Sequence, residues 1–323
     1  MTISLTELES VTKDYYVLDG NAAVDIYFDS SIWMHHFMDK RRGMWERPSG
    51  GDYMRIPFEF DEAEGGSYTR AEALNSDDRE VVNTARFQWK HYYGNGTIYR
   101  HDELKNSGAY AAVSLVSQRV SGAQKTCSKR IASDIYSANG DTATGITGLR
   151  SVVNTTTTTP YGDVQQGDIQ ATDGSYPWTG RTTTTDEAIG LGVIRTMRST
   201  AKLRDGKNGR PDFATTTETL FNKVKGILQP MQRFVEDKEI TKAGFSNLVF
   251  EGMIIAADDY CPSGWMFAVN SKYIGFGIHK DGFFKREEWR KLDGPMGKTM
   301  KILCDPNIIC SNRKAHIGHS TLS

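Results

Sequence analysis

Little in this sequence is lopsided. Across 323 residues, 39 Lys and Arg meet 40 Asp and Glu, so the formal net charge is −1. A protein that grips nucleic acid through its phosphates needs a basic surplus, and this balance removes the case for a dedicated DNA- or RNA-binding protein. A container for nucleic acid survives the argument, because a container has no need to hold its cargo tightly. Cysteine is scarce: Cys127, Cys261, Cys304 and Cys310. Their spacing fits neither a zinc knuckle nor a disulfide scaffold, which predicts reduced thiols made in a cytoplasm. No run approaches the roughly 20 apolar residues of a membrane helix. The opening MTISLTELESVTKDYY has no basic stretch leading into an apolar one, so no secretory signal is expected. The sequons at Asn95 and Asn154 are then chance matches. Proline is also rare, 9 against 31 Gly, a ratio that suits many turns and strands.

What is present suffices for a core. Hydrophobic residues make up 38% and charged residues 24%, which argues against global disorder. The length fits two ordinary domains, or one with long excursions. Ser30–Glu46 has Ile32, Trp33, His36 and Phe37 on one side, the pattern of a short helix, before Pro48 and Gly51 break the chain. Met54, Ile56, Phe58 and Phe60 then alternate with polar residues as in a strand. The alternation resumes with Ala85, Phe87, Trp89, His91 and Tyr93 after the polar stretch Asp61–Arg79. Two strands with a long polar tip make a hairpin arm. Such a ribbon is marginal alone in water and needs a neighbour, in its own chain or another.

The strongest periodicity lies between Ala109 and Ala138. Val113, Val116, Val120, Ala123, Cys127, Ile131 and Ile135 recur at gaps of three and four, predicting a long one-sided helix capped by Asn106 or Ser107. Gln118, Arg119, Gln124, Lys125, Lys129 and Arg130 form its expected polar face. Residues 141–186, rich in Gly and Thr, read as loops and short strands. A second helix is expected from Asp186 to about Arg204, with Ile189, Ile194, Met197 and Ala201 on one face. A third, capped by Thr217, carries Leu220, Phe221, Val224, Ile227 and Leu228. The remainder reads as strands: Leu248–Phe250, Met253–Ala257, Trp265–Asn270, Ile274–His279, Met300–Cys304 and Ile308–Cys310.

Motifs that carry chemistry elsewhere fail on their context here. Gly297-Lys-Thr299 resembles the end of a phosphate loop, but Leu292 stands where that loop needs glycine, and Pro295 removes a backbone donor. His316-Ile-Gly-His319 spells a nucleotide-binding signature in the wrong place, and it has no nearby ligand but Cys310. Asp258-Asp-Tyr-Cys261, followed by Pro262, reads as a polar turn rather than a cation site or an activated thiol. His35 and His36 have no third ligand. No catalytic, cofactor-binding or metal-binding residue is therefore assigned, no cofactor is expected, and the chain is not expected to be an enzyme.

From Pro211 onward the order of features is similar to that of tailed-bacteriophage major capsid proteins, whose fold is shared with encapsulins. The residues that carry the likeness are Pro211-Asp-Phe-Ala-Thr; Gln229-Pro-Met-Gln-Arg-Phe234; Ala243-Gly-Phe-Ser-Asn-Leu-Val-Phe250; Gly252-Met-Ile-Ile255; and Asp259-Tyr-Cys-Pro-Ser-Gly-Trp-Met-Phe267 leading to Asn270. The motifs span about sixty residues, while the order of elements extends the likeness over most of the chain.

The resemblance implies an α+β capsid fold with an N-terminal arm at 1–52 and an extended hairpin loop at 53–100 lying over a neighbouring subunit. It further implies a spine helix within a peripheral domain at 101–144, an axial domain at 145–270, and return strands of the peripheral domain at 271–323. The function implied is self-assembly, through hexamers and pentamers, into an icosahedral virion shell. That shell would enclose double-stranded DNA without sequence-specific binding or a membrane, and would be built in the host cytoplasm. A portal protein belongs to that picture, and a decoration protein is compatible with it. No room for a scaffold-like segment precedes the hairpin, so a separate scaffolding protein is implied. Some capsid proteins crosslink through Lys–Asn bonds; neither Lys90 nor any Asn matches those positions. An encapsulin-like compartment shell, a soluble α+β enzyme and a β-rich tail or adhesion protein remain as competing readings.

Overall fold

Alternation and helical stripes fold largely where the pattern puts them. The computed structural model describes residues 31–38, 44–46, 50–70, 74, 79–105, 109–203, 209–228 and 247–323. In chain order these contain α1 (Ile32–Met38), β1 (Met44–Glu46), β2 (Tyr53–Glu59), β3 (Val82–Gln88), β4 (Tyr92–Tyr99), α2 (Arg100–Lys105) and α3 (Ala109–Ile135). Then follow α4 (Leu149–Val152), β5 (Thr182–Thr183), α5 (Leu191–Thr200), β6 (Phe213–Thr216), α6 (Glu218–Leu228), β7 (Asn247–Phe250), β8 (Met253–Ala257) and β9 (Met266–Val269). The chain closes with β10 (Ile274–Ile278), β11 (Lys285–Arg286), β12 (Arg290–Lys291), β13 (Gly297–Cys304), β14 (Pro306–Cys310) and β15 (Ile317–His319).

The long helix is 27 residues, about 40 Å at 1.5 Å per residue. Val116, Val120, Ala123, Cys127, Ile131 and Ile135 are buried along it. Val113's side chain and the capping positions Asn106 and Ser107 lie outside the described residues. Gln124, expected on the polar face, is buried as well. Beside it, β4 crosses the helix so closely that a Cβ on Gly94 would collide with the Ala123 carbonyl. β4 pairs antiparallel with β13 along its full length, and β13 pairs on its other side with β11 and β12. The helix thus covers one face of a four-stranded sheet.

The hairpin forms with Tyr53 opposite Gln88 and Glu59 opposite Val82. Its apolar face is covered by its own chain: Phe58 stacks on Trp178 at 3.8 Å, and Phe87 meets the Tyr161 ring edge-on at 5.4 Å. The phase breaks after Gln88. Trp89, His91 and Tyr93 were expected inward, yet Lys90 and Tyr92 are buried, while Tyr93 is 65% exposed. Here the chain leaves the hairpin for β13, Tyr92 pairing with Cys304. The Lys90 N–H donates to Pro306 O, and its ammonium is held by the carbonyls of Asp141 and Ala143, each at 2.6 Å.

A six-stranded sheet of order β5-β15-β9-β6-β8-β7 carries α5 and α6. Thr217 caps α6 through its hydroxyl, 3.5 Å from the Leu220 N–H. Ile227, expected in the apolar stripe, is exposed instead, at the edge of a face already filled by Leu220, Phe221, Val224 and Leu228. The α5 helix begins at Leu191 rather than Asp186, because the preceding residues pair with the C-terminus: Glu187 bridges Leu322, and the Ile189 N–H donates to Ser323 O. Of the expected helix Ser30–Glu46, Ile32–Met38 is helical, and residues 30 and 39–43 lie outside the described residues. Met44–Glu46 instead runs parallel to Gly275–Gly277 of β10, which pairs in turn with β14. Residues 271–323 divide between sheets: β10, β13 and β14 lie with the hairpin and long helix, whereas β15 joins β9 and β5. Residues 229–234 and 243–246, which carried part of the family likeness, lie outside the described residues.

The face assignment of the long helix is testable. Val120 is fully buried and Gln118 is exposed. Val120→Asp should cost several kcal/mol, since a charge is then buried without a partner, and Gln118→Asp should stay within about 0.5 kcal/mol. Urea unfolding of the two variants checks this, and equal midpoints would show the face to be misassigned.

Candidate functional site

The chemistry-bearing motifs are absorbed into the fold. Gly297, Lys298 and Thr299 are strand residues of β13, paired with Tyr99, Ile98 and Thr97, so no loop exists there to cradle phosphate. His316 is fully buried, its Nδ1 accepting from the Asn270 N–H at 3.2 Å; burial lowers its pKa to about 3. His319 is also buried and sits between two acceptors, with Nε2 2.8 Å from Glu187 Oε1 and Nδ1 2.7 Å from the Ser320 carbonyl. The carboxylate partner that sequence proximity failed to supply comes from 132 residues away. His36 stacks on Phe213 at 3.9 Å, its Nε2 2.7 Å from Ser271 Oγ. These are packing histidines. Among the described residues no group of three metal-ligating side chains converges.

Asp258–Cys261 forms the expected turn, the Cys261 N–H donating to Asp258 O at 3.1 Å. Burial raises the Cys261 thiol far above the ordinary range, so it supplies no thiolate. All four cysteines are buried and free. The Asp258 carboxyl is pushed up to about 6 by burial, opposed by donation from the Tyr260 N–H and the Tyr136 hydroxyl. Tyr136 also receives the indole N–H of Trp33 at 2.8 Å, so the carboxyl ends a chain that anchors α1 to α3.

Arg313 went unnoticed in the sequence because nothing around it signals a partner. It is fully buried, and its guanidinium donates to four carbonyls, those of Val152, Trp178, Ser151 and Asn154, at 2.7–2.9 Å. Its charge lies 4.4 Å from the centroid of the Tyr161 ring. Burial lowers its pKa to about 10, which leaves it charged at neutral pH.

Among the described residues, exposed side chains gather on the outer side of the hairpin, at residues 61–70 of its tip, and on the outer side of the four-stranded sheet. Residues 61–70 are mostly exposed. Asp61 Oδ2 accepts from the Thr172 N–H and hydroxyl at 3.0 and 2.6 Å, and Arg79 donates to the same hydroxyl at 3.0 Å. The Thr172 hydroxyl, and after it the Glu62 N–H, lower the pKa of Asp61. An open groove lined by Glu59, Glu62, Glu64, Asp173 and Lys314 separates tip from loop. It is polar and holds no nucleophile paired with a base.

Asp258 provides a pH test. Its folded pKa lies above the 3.8 of an exposed carboxyl, so between about pH 4 and 6 the folded chain keeps a proton that the unfolded chain has lost, and stability falls as pH rises. The shift corresponds to on the order of 2–3 kcal/mol. Asp258→Asn keeps an acceptor for Tyr136 and removes the titration, so its stability relative to wild type should improve from pH 4 to pH 7. A difference in urea midpoint that is constant with pH would contradict the assignment.

No family model and no curated protein matches the sequence. Solved structures do. The subunit of the cyanophage A-1(L) capsid matches with a TM-score of 0.66 at 14% identity, over 91% of this chain and 93% of that one. The capsid of the native GTA particle matches with a TM-score of 0.60 at 6% identity, over 88% and 89%. The SrpI encapsulin of Synechococcus elongatus matches with a TM-score of 0.54 at 9% identity, over 88% and 86%. At such identities the likeness lies in the fold, and it runs almost end to end: this chain has the α+β fold of phage capsid proteins and encapsulins.

Proposed function

We propose that the chain is the major capsid protein of a tailed phage, a shell subunit rather than an enzyme. The observation that carries this is the near-complete correspondence with the cyanophage capsid subunit, covering more than nine-tenths of both chains. The correspondence with the encapsulin is looser, which favours the phage reading over a cargo compartment. In this reading residues 1–52 form the N-terminal arm, 53–100 the hairpin lying over a neighbour, 101–144 the spine region, 145–270 the axial domain and 271–323 the return strands. Copies associate as hexamers and pentamers that close into an icosahedral virion shell around DNA, and a separate scaffolding protein and a portal complete the particle. Assembly takes place in the host cytoplasm.

The charge balance supports this. At a net charge of −1 a shell does not clamp the DNA pushed into it. The free surfaces support it too, since closed symmetric assemblies reuse the same patches on every copy. The hairpin strands are buried on their own chain through Phe58 and Phe87, while residues 61–70 of the tip are mostly exposed. Removing the tip should therefore spare the fold and remove interface, of which permanent assemblies bury on the order of 2,000 Å² or more.

The experiment is to replace Asp61–Arg79 with a short Gly-Ser turn. The variant should be soluble and folded by circular dichroism, yet form no closed particles, or particles that fall apart on mild heating. Normal, heat-resistant particles from the variant would return the segment to an ordinary surface loop and withdraw the role given to the hairpin.

A further inference from the structure

An asparagine followed by glycine is the setting in which a side-chain amide meets the next backbone nitrogen most easily, because glycine has no Cβ to keep the two apart. The chain has three such pairs, Asn95-Gly96, Asn139-Gly140 and Asn208-Gly209. Asn208 lies outside the described residues. The fold treats the other two in opposite ways. Asn95 is locked: it lies in β4, paired with Lys301 of β13. Its Oδ1 accepts from the Thr299 hydroxyl at 2.7 Å, and its Nδ2 donates to Thr97 Oγ1 at 3.1 Å. The strand fixes its backbone, and both ends of its carboxamide are occupied.

Asn139 is the reverse. It follows α3 in irregular chain and is half-buried, as is Gly140. Its N–H donates to Ser137 Oγ at 3.3 Å, and its carbonyl accepts from the Ser151 hydroxyl at 2.7 Å. Among the described residues its carboxamide has no hydrogen-bond partner, and neither has the Gly140 N–H. The carboxamide rests over Gly145, where a Cβ would stand 2.5 Å from Asn139 Nδ2 and 2.8 Å from Asp134 Oδ2. Glycine there leaves it room that any other residue would fill. Donation from Ser151 also draws electron density out of the peptide bond between Asn139 and Gly140, which makes that N–H a better acid.

We propose that Asn139 is a self-modifying site, at which the folded chain converts its own carboxamide to a carboxylate. The Gly140 nitrogen gives up its proton and attacks Asn139 Cγ. The new C–N bond closes a cyclic imide, the Cγ–Nδ2 bond breaks, and the amide nitrogen leaves with that proton as ammonia. Water then opens the imide at either carbonyl, giving aspartate or, with the backbone rerouted through the side chain, isoaspartate. Water is the only other reactant. The turn that follows supplies the carbonyls of Asp141 and Ala143 that hold the Lys90 ammonium. Each event therefore adds one negative charge beside the Lys90 anchor of the hairpin, in a chain whose total is −1. The inference is independent of the shell reading.

The test holds the full-length folded chain at mildly alkaline pH and body temperature for several weeks, then digests it for mass spectrometry. The peptide containing Asn139 should show the mass gain of an amide turned into an acid, as aspartate and isoaspartate, which electron-transfer fragmentation separates. The Asn95 peptide should stay unchanged. In urea, where the strand no longer protects Asn95, both should react. Gly140→Ala should slow the change at Asn139 roughly tenfold or more, and the fold accommodates it, since a Cβ on Gly140 meets nothing within 4 Å. Asn139 unchanged in the folded chain, Asn95 and Asn139 reacting alike there, or Gly140→Ala reacting as fast as wild type would each overturn the proposal.

Discussion

One buried guanidinium sets the relation between the parts of this fold. Arg313 lies in the connection between β14 and β15, where the chain leaves one sheet for another. Its four bonds reach the last turn of α4, Asn154 two residues beyond it, and Trp178. Trp178 in turn donates to Tyr161 O at 2.9 Å and stacks on Phe58 of the hairpin. The Asn154 carbonyl also receives the Gly180 N–H, which leads the chain into β5. The tip-side end of the hairpin ladder, the α4 turn, the loop before β5 and the junction of two sheets are thus referenced to a single side chain. A buried cation is tolerable only when its donors are satisfied, and carbonyls at a helix C-terminus suit a positive charge.

Lys90 repeats the solution at the other end of the hairpin. Its ammonium binds the carbonyls of Asp141 and Ala143 where the chain crosses from β3 to β4, and burial lowers its pKa against the pull of Asp141. Two cations held by backbone oxygens rather than carboxylates pin both ends of the arm, so its angle to the body is set by the interior. The surface remains available for charge that faces outward. A shell subunit has to present the same arm at the same angle in every copy, because small angular errors repeat around a closed ring.

The sequence made the apolar side of this plan legible. The stripe from Val116 to Ile135, the Phe58 and Phe87 faces of the hairpin and the strands after Leu248 all follow from period alone. It failed where a second surface arrived from far away. β4 crosses the long helix at Ala123 on Gly94, a contact no window of neighbouring residues contains, and Gln124 beside it is buried. The phase change at Lys90 and the strand at Met44–Glu46 also depend on distant pairings, with Pro306 and with β10. Arg313 was invisible for a different reason. Its partners are carbonyls, which every residue carries, so no residue type marks them. The chemical motifs lie inside regular structure: Lys298 is paired in a strand, and His316 and Cys261 are buried.

Amide hydrogen exchange on Arg313→Met tests the dependence on Arg313 most directly. Methionine fills similar length without donors, leaving the carbonyls of Ser151, Val152, Asn154 and Trp178 to find water or go unpaired, a loss of about 3–5 kcal/mol. If the account is right, protection falls not only at 151–154 and 178–182 but also in the hairpin strands 53–59 and 82–88, while the centre of α3 keeps its protection. Unchanged protection in the hairpin, with loss confined to residues touching the substituted side chain, would contradict it.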